Sequence, residues 1–204
     1  KAFITMWKRH IPYWENLLNQ EIHFVPAWVD MDKFSVVKHT PDKETIRIAI
    51  MDNWRFTREQ IQTFTAIHEL SKTRKVHVDV WGMYETPPQV EMLLFQHLVD
   101  KGIVELKGRS IDVQNDIFNK VDLILTTSTE ATRLVRAGYS PGTPVVAPRA
   151  NMSWTRWCAD GISAEALSKS IIKCHTYLCN DPQRTRLALH KYALNHFNVR
   201  DIGD

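Results

Sequence analysis

Two arginines, Arg55 and Arg58, follow directly on the apolar run Ile46 to Met51. Between them Thr57 is placed as a helix N-cap, with Gln60 three residues on as its reach-back partner. The free N–H groups of a helix start point outward and its dipole favours negative charge. Cationic side chains beside it complete an anion site that a diphosphate would fit. A second apolar run, Leu123 to Leu125, leads into Thr126-Thr127-Ser128-Thr129-Glu130-Ala131-Thr132. Ser128 or Thr129 can cap the helix that starts there, and the Glu130 carboxylate can accept hydrogen bonds from the two vicinal hydroxyls of a ribose. Pro141-Gly142-Thr143-Pro144 marks a tight turn into another buried run, where backbone N–H groups could approach a phosphate or sugar closely. Plainer readings of the same residues stay open: a solvated cap with surface arginines, and an acid that only favours a helix dipole.

Little else in the chain competes with these residues. Nine histidines are scattered, and none forms a metal spacing such as His-x3-His. No Gly-x-Gly-x-x-Gly and no Walker-type glycine–lysine loop occurs, which disfavours dehydrogenase and NTPase readings, and no Gly-x-Ser-x-Gly elbow appears. The three cysteines, Cys158, Cys174 and Cys179, are odd in number and read as ordinary reduced thiols; a metal site would need more ligands at a better spacing. With no signal-peptide pattern at the start, the expected location is cytoplasmic.

The elements that would position these residues alternate regularly after Thr45. Residues 46–51, 76–81, 103–106, 121–126 and 143–147 read as buried strands, rich in Val and Ile with weak alternation, as expected when both faces are covered. Between and after them, residues 57–72, 89–101, 111–120, 130–138, 163–179 and 181–197 read as helices; Ile61, Phe64, Ile67 and Leu70 show the spacing in the first of these. Such alternation predicts an α/β fold, a Rossmann-like parallel sheet with helices on both faces. In such sheets ligands bind beyond the carboxyl ends of the strands, which directs attention to Asp52 to Arg58, Gly82 to Glu85, Lys107 to Ser110 with Gly108 between, Thr127 to Thr132 and Pro148 to Asn151. Residues 1–40 differ: they hold three of the seven tryptophans and no glycine, and the polar run Lys38 to Thr45 is the best linker.

Composition sets the outer bounds. The chain has 204 residues, 44% of them apolar and 24% charged, enough to bury a core without disulfides or metals. This excludes a disordered tail, a collagen-like fibre and a disulfide scaffold. No stretch approaches the roughly 18 uninterrupted apolar residues of a membrane span. A net charge of +3 permits an anionic ligand without pointing to a nucleic-acid protein.

Several of these stretches, in order, resemble the carboxyl-terminal, donor-binding half of GT-B glycosyltransferases of the large retaining group. Ile22 to Phe34 is similar to that family's hinge, a strand ending in proline followed by a Val-Asp then Phe pattern. Ala49 to Arg58 occupies the place of its phosphate loop, and Asp79-Val-Trp-Gly82 that of its second strand. Val104-Glu-Leu-Lys-Gly108 matches the strand and glycine beside the donor base. Phe118 to Glu130 matches the strand before the family's glutamate motif, and Gly142-Thr-Pro-Val-Val146 its Gly-x-Pro-Val-Val. Two departures stand out. The glycine-rich first loop is replaced by Asp52-Asn-Trp54, and the place of the family's second glutamate falls at about Ala137.

The resemblance implies a transferase acting on a nucleotide-sugar as substrate, with no metal and no further cofactor. Arg55 and Arg58 would meet the diphosphate and Glu130 the ribose. Gly82, Lys107, Gly108, Ser128, Thr132, Gly142 and Thr143 would line the donor pocket. It implies three parts: residues 1–40 as hinge and remnant of an amino-terminal domain, 41–180 as the Rossmann-like nucleotide-sugar-binding domain, and 181–204 as a closing helix. The family's catalytic side chain and acceptor site lie in the amino-terminal domain, so no catalytic residue is assigned here. The chain, which begins at Lys1, would need such a domain in the same or another chain. Trp7, Tyr13, Trp14 and Trp28 would then form a surface made for burial. Two other readings remain: a non-catalytic Rossmann-like interaction module, and a transferase whose acceptor is a DNA base, for which Arg74-Lys75 and Lys107-Gly-Arg109 are slight support.

Overall fold

A computed structural model describes residues 3–5, 10–25, 28–51, 58–82, 89–128, 132–149 and 155–202. Its centre is a six-stranded, all-parallel sheet. The strands are β3 (Thr45–Met51), β4 (Lys75–Trp81), β5 (Val104–Gly108), β6 (Leu123–Leu125), β7 (Val145–Pro148) and β8 (Trp157–Ala159). They lie in the order β5-β4-β3-β6-β7-β8. The chain thus starts in the middle with β3, builds outward through β4 to β5, then returns to the other side of β3 with β6. That reversal between β3 and β6 is the topological switch point of a doubly wound sheet.

The strands form where they do because their β-branched runs are buried. Ile48, Val78, Leu123, Ile124, Leu125, Val145 and Val146 are inaccessible to solvent. Crossovers are made by α2 (Arg58–Ser71), α3 (Gln89–Asp100) and α4 (Thr132–Tyr139), while α5 (Ala164–Asn180) follows the last strand and α6 (Pro182–Phe197) closes the chain. α2 packs on α3 and α5, while α4 packs on α6. Of the predicted helix face, Phe64, Ile67 and Leu70 enter the core while Ile61 stays exposed; each such burial stabilises by about 1.5–3 kcal/mol. The joint between α5 and α6 is a capping device: Asp181 accepts a hydrogen bond from the Arg184 N–H at 3.1 Å, and Pro182 opens α6.

Two expectations need correction. Residues 111–120 were expected to be an ordinary short helix, but the regular part is a π-type turn at Gln114–Phe118, which drives Ile117 and Phe118 into the core. The sheet has a sixth strand, β8, beyond the five predicted.

The segment before the sheet makes a separate two-stranded parallel pair, β1 (Phe3–Thr5) with β2 (Ile22–Phe24), spanned by α1 (Ile11–Leu18). α1 buries no residue, and Tyr13, Trp14, Leu17 and Trp28 stay exposed; Trp7 lies outside the described residues. Met31 and Val37 then enter the main core, and the Val37 N–H donates to the Pro141 carbonyl at 2.9 Å.

A buried polar knot closes the amino end of the sheet. Asp122, wholly buried just before β6, accepts from the Arg47 N–H at 2.8 Å and sits 2.9 Å from His39 Nε2. His175 Nε2 of α5 is 3.6 Å from the same carboxylate. Arg186 of α6 is also wholly buried, its three guanidinium nitrogens lack hydrogen-bond partners among the described residues, and desolvation lowers its pKa to about 10.

Candidate functional site

In doubly wound sheets ligands bind at the switch point, which here falls at the carboxyl ends of β3 and β6. α2 begins after β3 and α4 begins after β6, so both bring their amino termini, with their positive dipole ends, to this rim. Arg58 and Thr132 are the first residues of these two helices; their side chains, and Arg55 and Glu130 altogether, lie outside the described residues.

The floor of the rim is polar and hydrogen-bonded. Thr126 and Thr127 are buried at the end of β6. The Thr126 hydroxyl accepts from the Ser128 N–H at 3.2 Å, and the Thr63 hydroxyl of α2 donates to that of Thr127 at 3.2 Å. This last bond ties the two sides of the switch point together. Ser128 is half-buried at the mouth.

The neighbouring strands end in two glycines. The Gly82 N–H donates to the Gly108 carbonyl at 2.7 Å, and the two residues have φ of 82° and 72°. An L side chain is strained at either φ. Just before Gly82, the indole Nε1 of Trp81 is buried and has no partner among the described residues. Trp81 was not singled out in the sequence, because nothing local shows that an indole nitrogen lacks a partner.

Lys107 is committed elsewhere. It is the extra residue where the register between β4 and β5 shifts. Its ammonium lies 2.5 Å from Glu105 and 3.6 Å from Asp79. The hydrogen bond that Lys107 donates to Glu105 raises the Lys107 pKa, and the same contact lowers that of Glu105. Its backbone remains beside Gly108 at the rim.

The structure does not bring Gly142 and Thr143 to this rim. They precede β7 and so lie at the amino end of a parallel sheet, opposite to the switch-point rim. Gly142, at φ 83°, sits against the backbone of Arg186, and Thr143 is wholly buried with its N–H on the Gly138 carbonyl at 2.8 Å. Both hold a packed turn between α4 and β7. Ala137, at the place of the family's second glutamate, packs partly buried against the core, so no carboxylate stands there.

Strand order and switch point define a Rossmann-like domain. Comparison with solved structures specifies it further. A glycosyltransferase from Rickettsia africae matches with a TM-score of 0.74 at 18% identity, over 98% of this chain and 60% of that one. HepE of Anabaena, crystallised with UDP and glucose, matches with a TM-score of 0.71 at 14% identity, over 98% and 60%. The carboxyl-terminal domain of a group 1 glycosyltransferase, LpcC of Francisella tularensis, matches with a TM-score of 0.60 at 15% identity, over 84% of this chain and 99% of that domain. The chain has the fold of the carboxyl-terminal half of GT-B glycosyltransferases, and spans about three fifths of the length of the first two enzymes. No protein-family model matches the chain, and no curated protein matches it. Among the described residues no helix is long and apolar enough to cross a membrane.

Proposed function

We propose that this chain is the donor-binding part of a glycosyltransferase and that a nucleoside diphosphate-sugar binds at the switch point between β3 and β6. The observation that carries this is the pair of helix amino termini converging on that rim. The domain shares its fold with proteins crystallised with UDP. In this reading Arg55 and Arg58 neutralise the charge that develops on the departing diphosphate, usually the largest contribution in such chemistry. Glu130 accepts the ribose hydroxyls and takes that task alone, because Ala137 offers no second carboxylate. Ser128, Thr132 and the backbone of Gly82, Lys107 and Gly108 line the pocket.

An acceptor-binding, amino-terminal domain, in the same chain or another, would cover the aromatic face of α1. The β1–α1–β2 unit is a two-stranded fragment, too small for independent stability, and its exposed Tyr13, Trp14 and Leu17 suit burial in a larger sheet domain.

Calorimetric titration with UDP and uridine tests the donor site. Arg58→Glu should weaken UDP roughly tenfold or more and leave uridine nearly unchanged, since hydrogen bonds to charged groups contribute about 1.5–3 kcal/mol. Glu130→Gln keeps the shape and should weaken both ligands alike. If both substitutions are silent, or UDP does not bind, the interaction-module reading takes its place.

A further inference from the structure

We propose that His77, Asp79 and Glu105 form a site for a borderline divalent metal ion of the zinc class on the open face of β4 and β5, with Lys107 as the built-in cation that occupies it when no metal is bound. His77 and Asp79 are two apart on β4, and Asp79 is the direct register partner of Glu105 on β5, so all three side chains share one face of the sheet. Their ligand atoms lie within 4.8 Å of one another, with His77 Nε2 3.1 Å from Asp79 and 3.8 Å from Glu105. Two ligands bound to one ion at about 2.0–2.2 Å stand at most about 4.4 Å apart. A small swing of the half-exposed Glu105 therefore closes the site.

Two carboxylates directly opposite on neighbouring strands repel each other, so this pairing needs a cation between them. Lys107 supplies one, touching both acids. A lysine ammonium is a point charge on a flexible stem and leaves readily for water. An ion that took its place would gain the imidazole as a ligand as well. Imidazole with carboxylates selects zinc, cobalt, nickel or copper over magnesium and calcium, which prefer oxygen alone. Three protein ligands leave a fourth position for water. The bound ion would clip the edge strand β5 to β4. This site stands apart from the donor reading, since neither His77 nor Glu105 belongs to the rim.

The test is calorimetric titration of ZnCl2 into the 204-residue chain and its variants, with Co2+ absorption as a second reading. Binding should fall at least about tenfold in His77→Ala and in Glu105→Gln, and tighten about tenfold in Lys107→Met, which removes the competing like charge. His97→Ala, on α3, should change nothing. In the unsubstituted chain, Co2+ should broaden the amide resonances of residues 77–79 and 105–107 before others, a reading that needs no variant to fold. Absence of binding in Lys107→Met, indifference to His77→Ala, loss in His97→Ala, or broadening centred elsewhere each overturns the assignment.

Discussion

Gly142→Ala isolates what the turn before β7 contributes. Gly142 has φ 83°, where an L residue costs about 1–2 kcal/mol. A Cβ there would also stand 2.9 Å from the Arg186 carbonyl carbon and 3.0 Å from its Cα, and would run into its carbonyl oxygen. These are backbone atoms of a helix, which cannot step aside like the tip of a side chain, so overpacking adds about 1–3 kcal/mol. The sum is roughly 2–5 kcal/mol, and at about 2–4 °C per kcal/mol for a chain of this size it lowers Tm by roughly 4–20 °C. Gly102→Ala is the internal control: φ is 67° but nothing lies within 4 Å of the added methyl, so only the conformational cost of about 1–2 kcal/mol remains. Chemical denaturation of both variants measures the difference. Equal losses would refute the close approach of this turn to α6.

Two further perturbations probe the polar knot. Asp122→Ala strands the Arg47 N–H and the His39 imidazole in a buried site and should cost about 3–5 kcal/mol in urea unfolding; a loss under 1 kcal/mol would contradict the burial. Desolvation lowers the His175 pKa below the ordinary imidazole value, outweighing the attraction of Asp122. The unfolded chain then binds this proton more readily than the folded one. The contribution is fully present above about pH 6.5 and is lost as pH falls below it. His175→Gln should flatten that part of the stability profile, and an unchanged slope would show that another group titrates.

Much of this architecture was legible from apolar runs. β3, β4 and β7 lie within two residues of where Ile46-Arg-Ile-Ala-Ile, Val76-His-Val-Asp-Val and Pro144-Val-Val-Ala place them, because short runs rich in Val and Ile announce a strand by composition. β8 was not legible. Trp157–Ala159 is three residues long with no β-branched member, and only its pairing with β7 makes it a strand. The site divides the same way. The carboxyl ends of β4, β5 and β6 followed from topology, whereas Gly142 and Thr143 were drawn in because a glycine–proline turn resembles a ligand loop. They precede their strand, and the direction of a parallel strand places them at the far end. The commitment of Lys107 to Asp79 could not be read locally, since the two are 28 positions apart and meet only through the β4–β5 register. The indole nitrogen of Trp81 was hidden for the same reason.

Where a nucleoside diphosphate sits on this fold is measured most directly by amide chemical-shift mapping during a UDP titration. The switch-point reading predicts the largest saturable shifts at Gly82, Gly108 and Ser128 and in the first turns of α2 and α4, with Gly142 and Thr143 unmoved. Shifts centred on Gly142 and Thr143, or none at any saturating concentration, would contradict it.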